Sequence, residues 1–489
     1  MQTAGNLSDF RWLVSAEAAP WLELAAQEPQ PSVAMVSRLR RELSAERAHL
    51  VLEQSALRRR GRDKFVAAER MFFTPLGLEQ ATDEVLAAYK AERFARIARG
   101  SSGAVDEPME NGVDDSPSPP APLPHRGEGR RMVPAPLPHR GEGGRALATP
   151  LFADLCCGIG GDLIAIGNCG PTIGVDRDPV AALLAEANLA ACGLLIPGHA
   201  GGNTGGARGT RESHAGRAVE KCARVQVGDV AVFSVAECNA WHIDPDRRPE
   251  GRRTTRAVLH DPPPASIEQL LSMCPNAAVK LAPAAVLPGG WASRAELEWI
   301  TTRRECRQLV AWFGGLATQL GTRRATVLSA GRQRRTFTGE ADLVTGVANR
   351  IGRYVFEPDA AILAAGLAGA LAREYGLEAV AARGAYLTGE PSGEMLRNSV
   401  LRDAALASFE VLDVVPLRVK ALRQWLRERG IGRVDVKKRA VDIDPHRLAA
   451  DLRSECNDHA TLLVYSQGEK KLAIIARRLV PADVSGAAE

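Results

Sequence analysis

The residues best suited to chemistry lie in Asp154-Leu-Cys-Cys-Gly158-Ile-Gly160-Gly161-Asp162, which follows an apolar run and opens a helical pattern. A second apolar run ends in Gly-Val-Asp176-Arg-Asp178-Pro, and a third, VQVG, runs into Asp229. Glycines at 158, 160 and 161 let the backbone turn tightly and approach a ligand without a Cβ in the way. A carboxylate at the end of the second strand can accept both hydroxyls of a ribose, which puts Asp176 on a nucleoside. Asp229, at the next strand end, would reach an adenine amino group.

Two cofactors compete for this pattern, a dinucleotide and S-adenosylmethionine (SAM). The dinucleotide fingerprint needs a third glycine three residues after the second, and that position is Leu163. A pyrophosphate also has no use for a carboxylate at 154, whereas a ligand with an ammonium and a sulfonium does. The pattern therefore selects SAM, held by Asp154, Gly158, Gly160, Gly161, Asp176 and Asp229.

These residues resemble a family. DLCCGIGGDLIAIG followed by GVDRDPVAALLAEANLAACG is similar to motifs I and II of class I SAM-dependent methyltransferases. DKFVAAERMFFTPLGLEQAT, AAYKAERF, IDPDRR, LEWI, LVAWFGG and IGRVDVKKRAVDIDPHRL resemble bacterial methyltransferases with a C-terminal THUMP-like domain. Motif I alone also resembles the RNA cap guanine-N2 (trimethylguanosine synthase) family. The first resemblance implies a Rossmann-like α/β fold, SAM as cofactor, and RNA as a partner, since THUMP domains bind RNA.

In this fold the acceptor would face Asp244-Pro245-Asp246-Arg247-Arg248, after AWHI. Methyltransferases of nucleobase amino groups resemble N/D-P-P-Y/F/W here; this chain has Asp246 and Arg247 in place of the second proline and the aromatic. An Arg guanidinium can still stack on a base or pair with phosphate. Asp244 is the candidate for orienting or deprotonating the acceptor, with Pro245, Arg247 and Arg248 beside it. Lys280 is a candidate phosphate or acceptor contact, or part of an ion pair. Methylation at carbon 5 of uridine needs a cysteine on a later strand, and Ala278-Val-Lys280-Leu-Ala-Pro283 has none. Cys156, Cys157 and Cys274 read as packing residues. His242 and His260 lack metal-ligand spacing and read as structural or exposed.

The elements that must position these groups follow from hydrophobic periodicity. Residues 1–98 carry helical spacing throughout and read as an all-helical domain. Residues 99–149 are rich in Pro, Gly and Ser, contain PAPLPHRGEG twice, and read as a disordered linker. From 150 to 345, LFADLCC, TIGVD, ARVQVGD, AWHID, AVKLA and RRATVLSA alternate with helical patterns, which implies a doubly wound parallel sheet. A Gly-rich stretch, 197–218, reads as a disordered loop within it. Residues 346–489 follow a strand, helix, strand, helix, hairpin order, a small α+β domain.

The chain's 489 residues suit roughly three domains, and 45% hydrophobic with 25% charged residues is ordinary globular composition. The net charge of +4 shows no general basic excess, so a nucleic-acid surface would be local. Between 411 and 480 there are 15 Lys and Arg against 9 Asp and Glu, clustered at Lys437-Lys438-Arg439, the candidate RNA contacts. Nine cysteines without C-x-x-C argue against disulfides and zinc, and no metal is expected. With no long apolar run and no signal-like start, the chain reads as cytoplasmic and free of the membrane.

Three functions remain compatible with the sequence: a SAM-dependent methyltransferase of structured RNA, such as rRNA or tRNA; a protein or small-molecule methyltransferase; and a non-catalytic RNA-binding protein with a vestigial SAM pocket. Oligomeric state is left open.

Overall fold

The computed structural model describes residues 6–100, 151–195, 221–246, 255–256, 259–329, 334–382 and 385–479. Most of the stretch read as a linker, the Gly-rich loop, and Arg247 and Arg248 lie outside the described residues.

Six helices fill the N-terminal region: α1 (Leu7–Leu13), α2 (Ala19–Ala26), α3 (Val33–Glu42), α4 (Ala45–Gly61), α5 (Pro75–Gln80) and α6 (Glu84–Ala98). Most begin at a residue whose side chain caps a free N–H: Asn6, Ser32, Ser44, Thr74 and Asp83 each do so. At α6, the helix that matters most here, Asp83 Oδ1 accepts from the Leu86 N–H at 3.0 Å. This region is not a free-standing bundle. Its core of Phe10, Leu50, Phe65 and Phe73 continues into Ile159 and Leu184 of the next unit, and Phe94 packs edge-on against Phe152 with centroids 5.5 Å apart.

The central unit is a nine-stranded sheet. Its strands are β1 (Phe152–Leu155), β2 (Thr172–Asp176), β3 (Ala223–Val227), β4 (Ala240–Ile243), β5 (Ala277–Leu281), β6 (Ala295–Thr302), β7 (Glu305–Phe313), β8 (Arg323–Leu328) and β9 (Arg334–Thr338). They lie in the order β3-β2-β1-β4-β5-β7-β6-β8-β9. The first five are parallel and β7 runs antiparallel between β5 and β6. Helices α7 (Gly161–Gly167) and α8 (Pro179–Ala191) follow β1 and β2, and α9 (Pro264–Met273) and α10 (Trp291–Arg294) precede β5 and β6. Strand order reverses between β1 and β4, and the carboxyl ends there open the crevice where a doubly wound sheet binds ligands.

Strands β6 and β7 were not among the strand candidates read from the sequence. In AELEWITT, Leu297 and Trp299 face one side while Glu296 and Glu298 face the other, so a half-exposed strand would be the natural reading. Both faces are in fact buried, because Arg93 of α6 covers the glutamates: its guanidinium lies 2.7 Å from Glu296 and 2.8 Å from Glu298.

The C-terminal region builds a second, seven-stranded sheet. β10 (Tyr354–Pro358) leads through α11 (Ala360–Ala364) and α12 (Ala368–Tyr375) to β11 (Glu378–Ala379), β12 (Leu387–Gly389) and α13 (Glu394–Arg402). Then come β13 (Leu406–Pro416), α14 (Val419–Glu428), β14 (Ile431–Lys438), α15 (Pro445–Leu452) and the hairpin β15 (Asp458–Gln467) and β16 (Lys470–Arg478). The apolar stretch 360–376, a single helical pattern in the sequence, is broken at Gly366, whose φ is +72°. Phe356, Ile362 and Leu371 share one core with Trp299 and Phe313 of the central sheet, so the two sheets are joined by buried side chains.

Candidate active site

Motif I forms the turn between β1 and α7. Its glycines divide the work. Around Gly158 (φ +55°) the space is open, whereas a Cβ on Gly161 would stand 2.8 Å from the Thr82 carbonyl oxygen. Gly158 thus faces a cavity of about 760 Å³, and Gly161 makes room for the N-terminal region. The cavity is lined at the carboxyl ends of β1, β2 and β3 by Asp154, Gly158, Gly161, Asp176 and Asp229, and at those of β4 and β5 by Asp244, Pro245, Asp246 and Lys280.

Asp176 ends β2. Its Oδ2 accepts from the Gly158 N–H at 2.8 Å and its Oδ1 from the Asp178 N–H at 2.9 Å. Burial pushes its carboxyl up, partly offset by those two donors. Asp229 accepts from the Ala231 N–H at 2.8 Å. Asp244 follows β4 and is ion-paired with Lys280 of β5. The Lys280 side chain is 7% exposed and that of Asp244 26%, so the lysine is the buried support and the carboxylate the partner open to the cavity. Asp246 and Asp261 exchange backbone hydrogen bonds at 2.8 and 3.0 Å.

Asp154 lies deeper than its expected role suggests, 1% exposed. His242 Nδ1 is 2.7 Å from its Oδ1, and His242 Nε2 is 3.2 Å from Lys90 Nζ. The ring thus bridges Asp154 and Lys90, whose ammonium burial disfavours and Asp162 supports. Lys90 also pairs with Asp162 at 2.7 Å. The Thr82 hydroxyl donates to Asp162 at 2.7 Å and receives Lys280 Nζ at 3.2 Å. A continuous polar chain therefore runs from Asp154 at the end of β1 to Asp244 after β4. Burial raises the Asp154 carboxyl despite His242. It would raise Asp162 too, but Lys90, His242 and Lys280 together hold that carboxyl below the usual range. Asp154 Oδ2 is buried and has no partner among the described residues, an acceptor left vacant at the cavity floor.

Sequence reasoning missed Lys90, Thr82 and Asp162, and read His242 only as structural or exposed. A signal was present: on α6, Lys90 and Arg93 fall at helical spacing on the same face as Leu86 and Phe94, all buried. Cations on an apolar helix face announce buried acidic partners. Cys157 and Cys274 are buried and Cys156 half-buried, with burial raising all three thiols.

Lys437, Lys438 and Arg439 fall at the end of β14, far along the chain from this cavity and absent from its lining. Lys437 and Arg439 both pair with Glu357 of β10, and Lys438 donates to the Ile443 carbonyl at 2.7 Å. Among the described residues, no group of His, Cys, Asp and Glu is placed to hold a metal ion, and no helix is long and apolar enough to cross a membrane.

Residues 406–478 match the THUMP domain-like family, and residues 6–61 match a domain of unknown function, DUF8688. Two uncharacterized SAM-dependent methyltransferases of Mycobacterium tuberculosis, from strains CDC 1551 and H37Rv, are each 28% identical over 331 residues, 67% of this chain and 76% of theirs. A solved structure of a candidate methyltransferase from Porphyromonas gingivalis W83 superposes with a TM-score of 0.64 at 17% identity, covering 97% of this chain and 100% of that one, and so shares its fold. By its relatives the chain is a SAM-dependent methyltransferase, and by its C-terminal match it carries a THUMP-like domain.

Proposed function

We propose that this enzyme methylates a base in structured RNA, rRNA or tRNA, in the cytoplasm. The observation that carries the RNA reading is the THUMP-like match over 406–478, whose strand β13 pairs with β10, the strand that enters the core of the cavity-bearing sheet.

The residues present fit SAM. The vacant Asp154 Oδ2 suits an ammonium, Asp176 keeps acceptor capacity for ribose hydroxyls beyond its two backbone donors, and Asp229 suits an adenine amino group. When bound, SAM supplies a methyl group made electrophilic by its sulfonium. Asp244 accepts a hydrogen bond from the acceptor N–H or O–H, aligns its lone pair, and takes the proton as the bond forms. Lys280 is a positioning residue: with Thr82 it fixes the Asp244 carboxylate. Holding both reactants in line supplies most of the acceleration in such a direct transfer. Pro245, Arg247 and Arg248 complete the acceptor side in this reading.

Labelled SAM incubated with a whole extract of cells lacking the gene, then fractionated into RNA, protein and metabolites with nucleoside mass spectrometry of the RNA, tests it. A single new methylated nucleoside is expected. Label confined to protein or small metabolites would overturn the RNA substrate and select the second reading, a protein or small-molecule acceptor. That reading is favoured by one observation, the engagement of Lys437 and Arg439 with Glu357.

A further inference from the structure

The mechanism above leaves one wall of the cavity unused, the hairpin of β6 and β7. Cys306, Arg307 and Gln308 of β7 line the cavity together with Arg303 of the turn. Gln308 is 1% exposed, and its Nε2 has no hydrogen-bond partner among the described residues. A buried donor without a partner is costly to a fold, and such groups are uncommon. Here the donor borders a cavity large enough to admit the group that would satisfy it.

The turn itself points the same way. Thr302 pairs with Glu305, so Arg303 and Arg304 are its two central residues, with φ +50° and +65°. Such a turn favours Asn-Gly or Asp-Gly, because an L side chain is strained at positive φ. Two arginines occupy it instead, and strain of this kind gathers at functional sites. The Arg303 guanidinium donates to the Asp63 carbonyl of the N-terminal region, and Arg307 pairs with Glu305 at 3.0 Å; both arginines are exposed at the rim. Lys64, also at the rim, is otherwise engaged, donating to the carbonyls of Leu78, Glu79 and Ala81. On the far side, the Thr301 hydroxyl donates to Asp359 at 2.6 Å, which ties the hairpin to the sheet holding the THUMP-like domain.

We propose that the β6–β7 hairpin is the acceptor-holding element: Gln308 Nε2 donates to a carbonyl or ring nitrogen of a base seated in the cavity, and Arg303 and Arg307 hold its flanking phosphates. This rests on the RNA reading of the site. The hairpin borders the cavity and, through Thr301 and Asp359, meets the chain just after β10, so on this reading RNA held by the THUMP-like domain passes the two arginines before its target base reaches Gln308.

Two variants test it, with labelled SAM and total RNA from cells lacking the gene as substrate. Gln308→Met keeps volume and removes the donor. Loss of an unpartnered polar group should leave the melting temperature unchanged or higher and SAM affinity within about twofold, while KM for RNA rises about tenfold. Arg303→Gly with Arg307→Ala relieves the turn and removes both charges; KM for RNA should rise about tenfold and the slope of log affinity against log salt should fall by about one to two. If wild type methylates RNA and both variants keep its KM within twofold, the hairpin assignment is wrong and the RNA reading stands. If wild type labels only protein or metabolites, the RNA reading and the phosphate role of the arginines fall together.

Discussion

Lys90 and Arg93 on α6 and Lys437 and Arg439 at the end of β14 are the same residue types in opposite circumstances. The first pair is sealed between the N-terminal helices and the central sheet, with side chains 2% and 8% exposed, against Asp162, Glu296 and Glu298. The second pair, 31% and 36% exposed, meets Glu357 at the edge of solvent. In the first place a broken pair leaves charges of both signs stranded in low dielectric; in the second, water takes over the cations and only Glu357, 8% exposed, is left behind. Charge that is fixed builds the site, and charge that is half in water is available to a partner.

Arg93→Met strikes the sealed side hardest. It strands Glu296 and Glu298 together, and chemical denaturation should show a loss of about 3–5 kcal/mol. A loss below about 1 kcal/mol would mean that water reaches the glutamates and the contrast between the regions is false.

Acid makes the same point without mutation. Burial would raise the Glu296 carboxyl, but Arg93 and Arg324 hold it down at about 2, against an ordinary value of 4.5. Because the folded value is depressed, the stabilisation is fully present above about 4.5 and lost as pH falls toward 2; the shift corresponds to about 3 kcal/mol. Denaturation midpoints collected across that window should fall steeply in wild type and flatten in Glu296→Gln.

Asp176 lies between the extremes, largely buried yet open to the cavity. Asp176→Ala should weaken SAM binding about a hundredfold, about 2–3 kcal/mol, as read by calorimetry. Unchanged affinity would place the ribose elsewhere.

The smallest effect on folding belongs to the C-terminal cluster. Replacing Lys437, Lys438 and Arg439 by alanine should cost about 1–3 kcal/mol, chiefly from the stranded, buried Glu357, and Glu357→Gln in the same background should recover it. RNA affinity should nevertheless drop and its salt slope lessen by about two. A slope equal to wild type would make these residues structural partners of Glu357 alone.

Much of the fold was legible because it is written locally. The β1 turn, the Asp176 strand end, the capped helices and the C-terminal order of strand and helix depend on residues near one another in sequence, where periodicity and turn chemistry act. The break at Gly366 and the two buried strands β6 and β7 were less legible, since nothing local reveals that a charged face will be covered.

The sequence by itself determined the fold class and the cofactor: glycines in a strand-to-helix turn and carboxylates at successive strand ends have few other uses. Tertiary structure alone decided how the site is floored and walled. Thr82, from the turn between α5 and α6, and Lys90, from α6, precede the whole sheet, Lys280 and Gln308 come from strands well after motif I, and Asp154 meets His242 across 88 positions of chain. Coulomb attraction and desolvation depend on distance and burial, and neither can be read until the chain has brought those residues together.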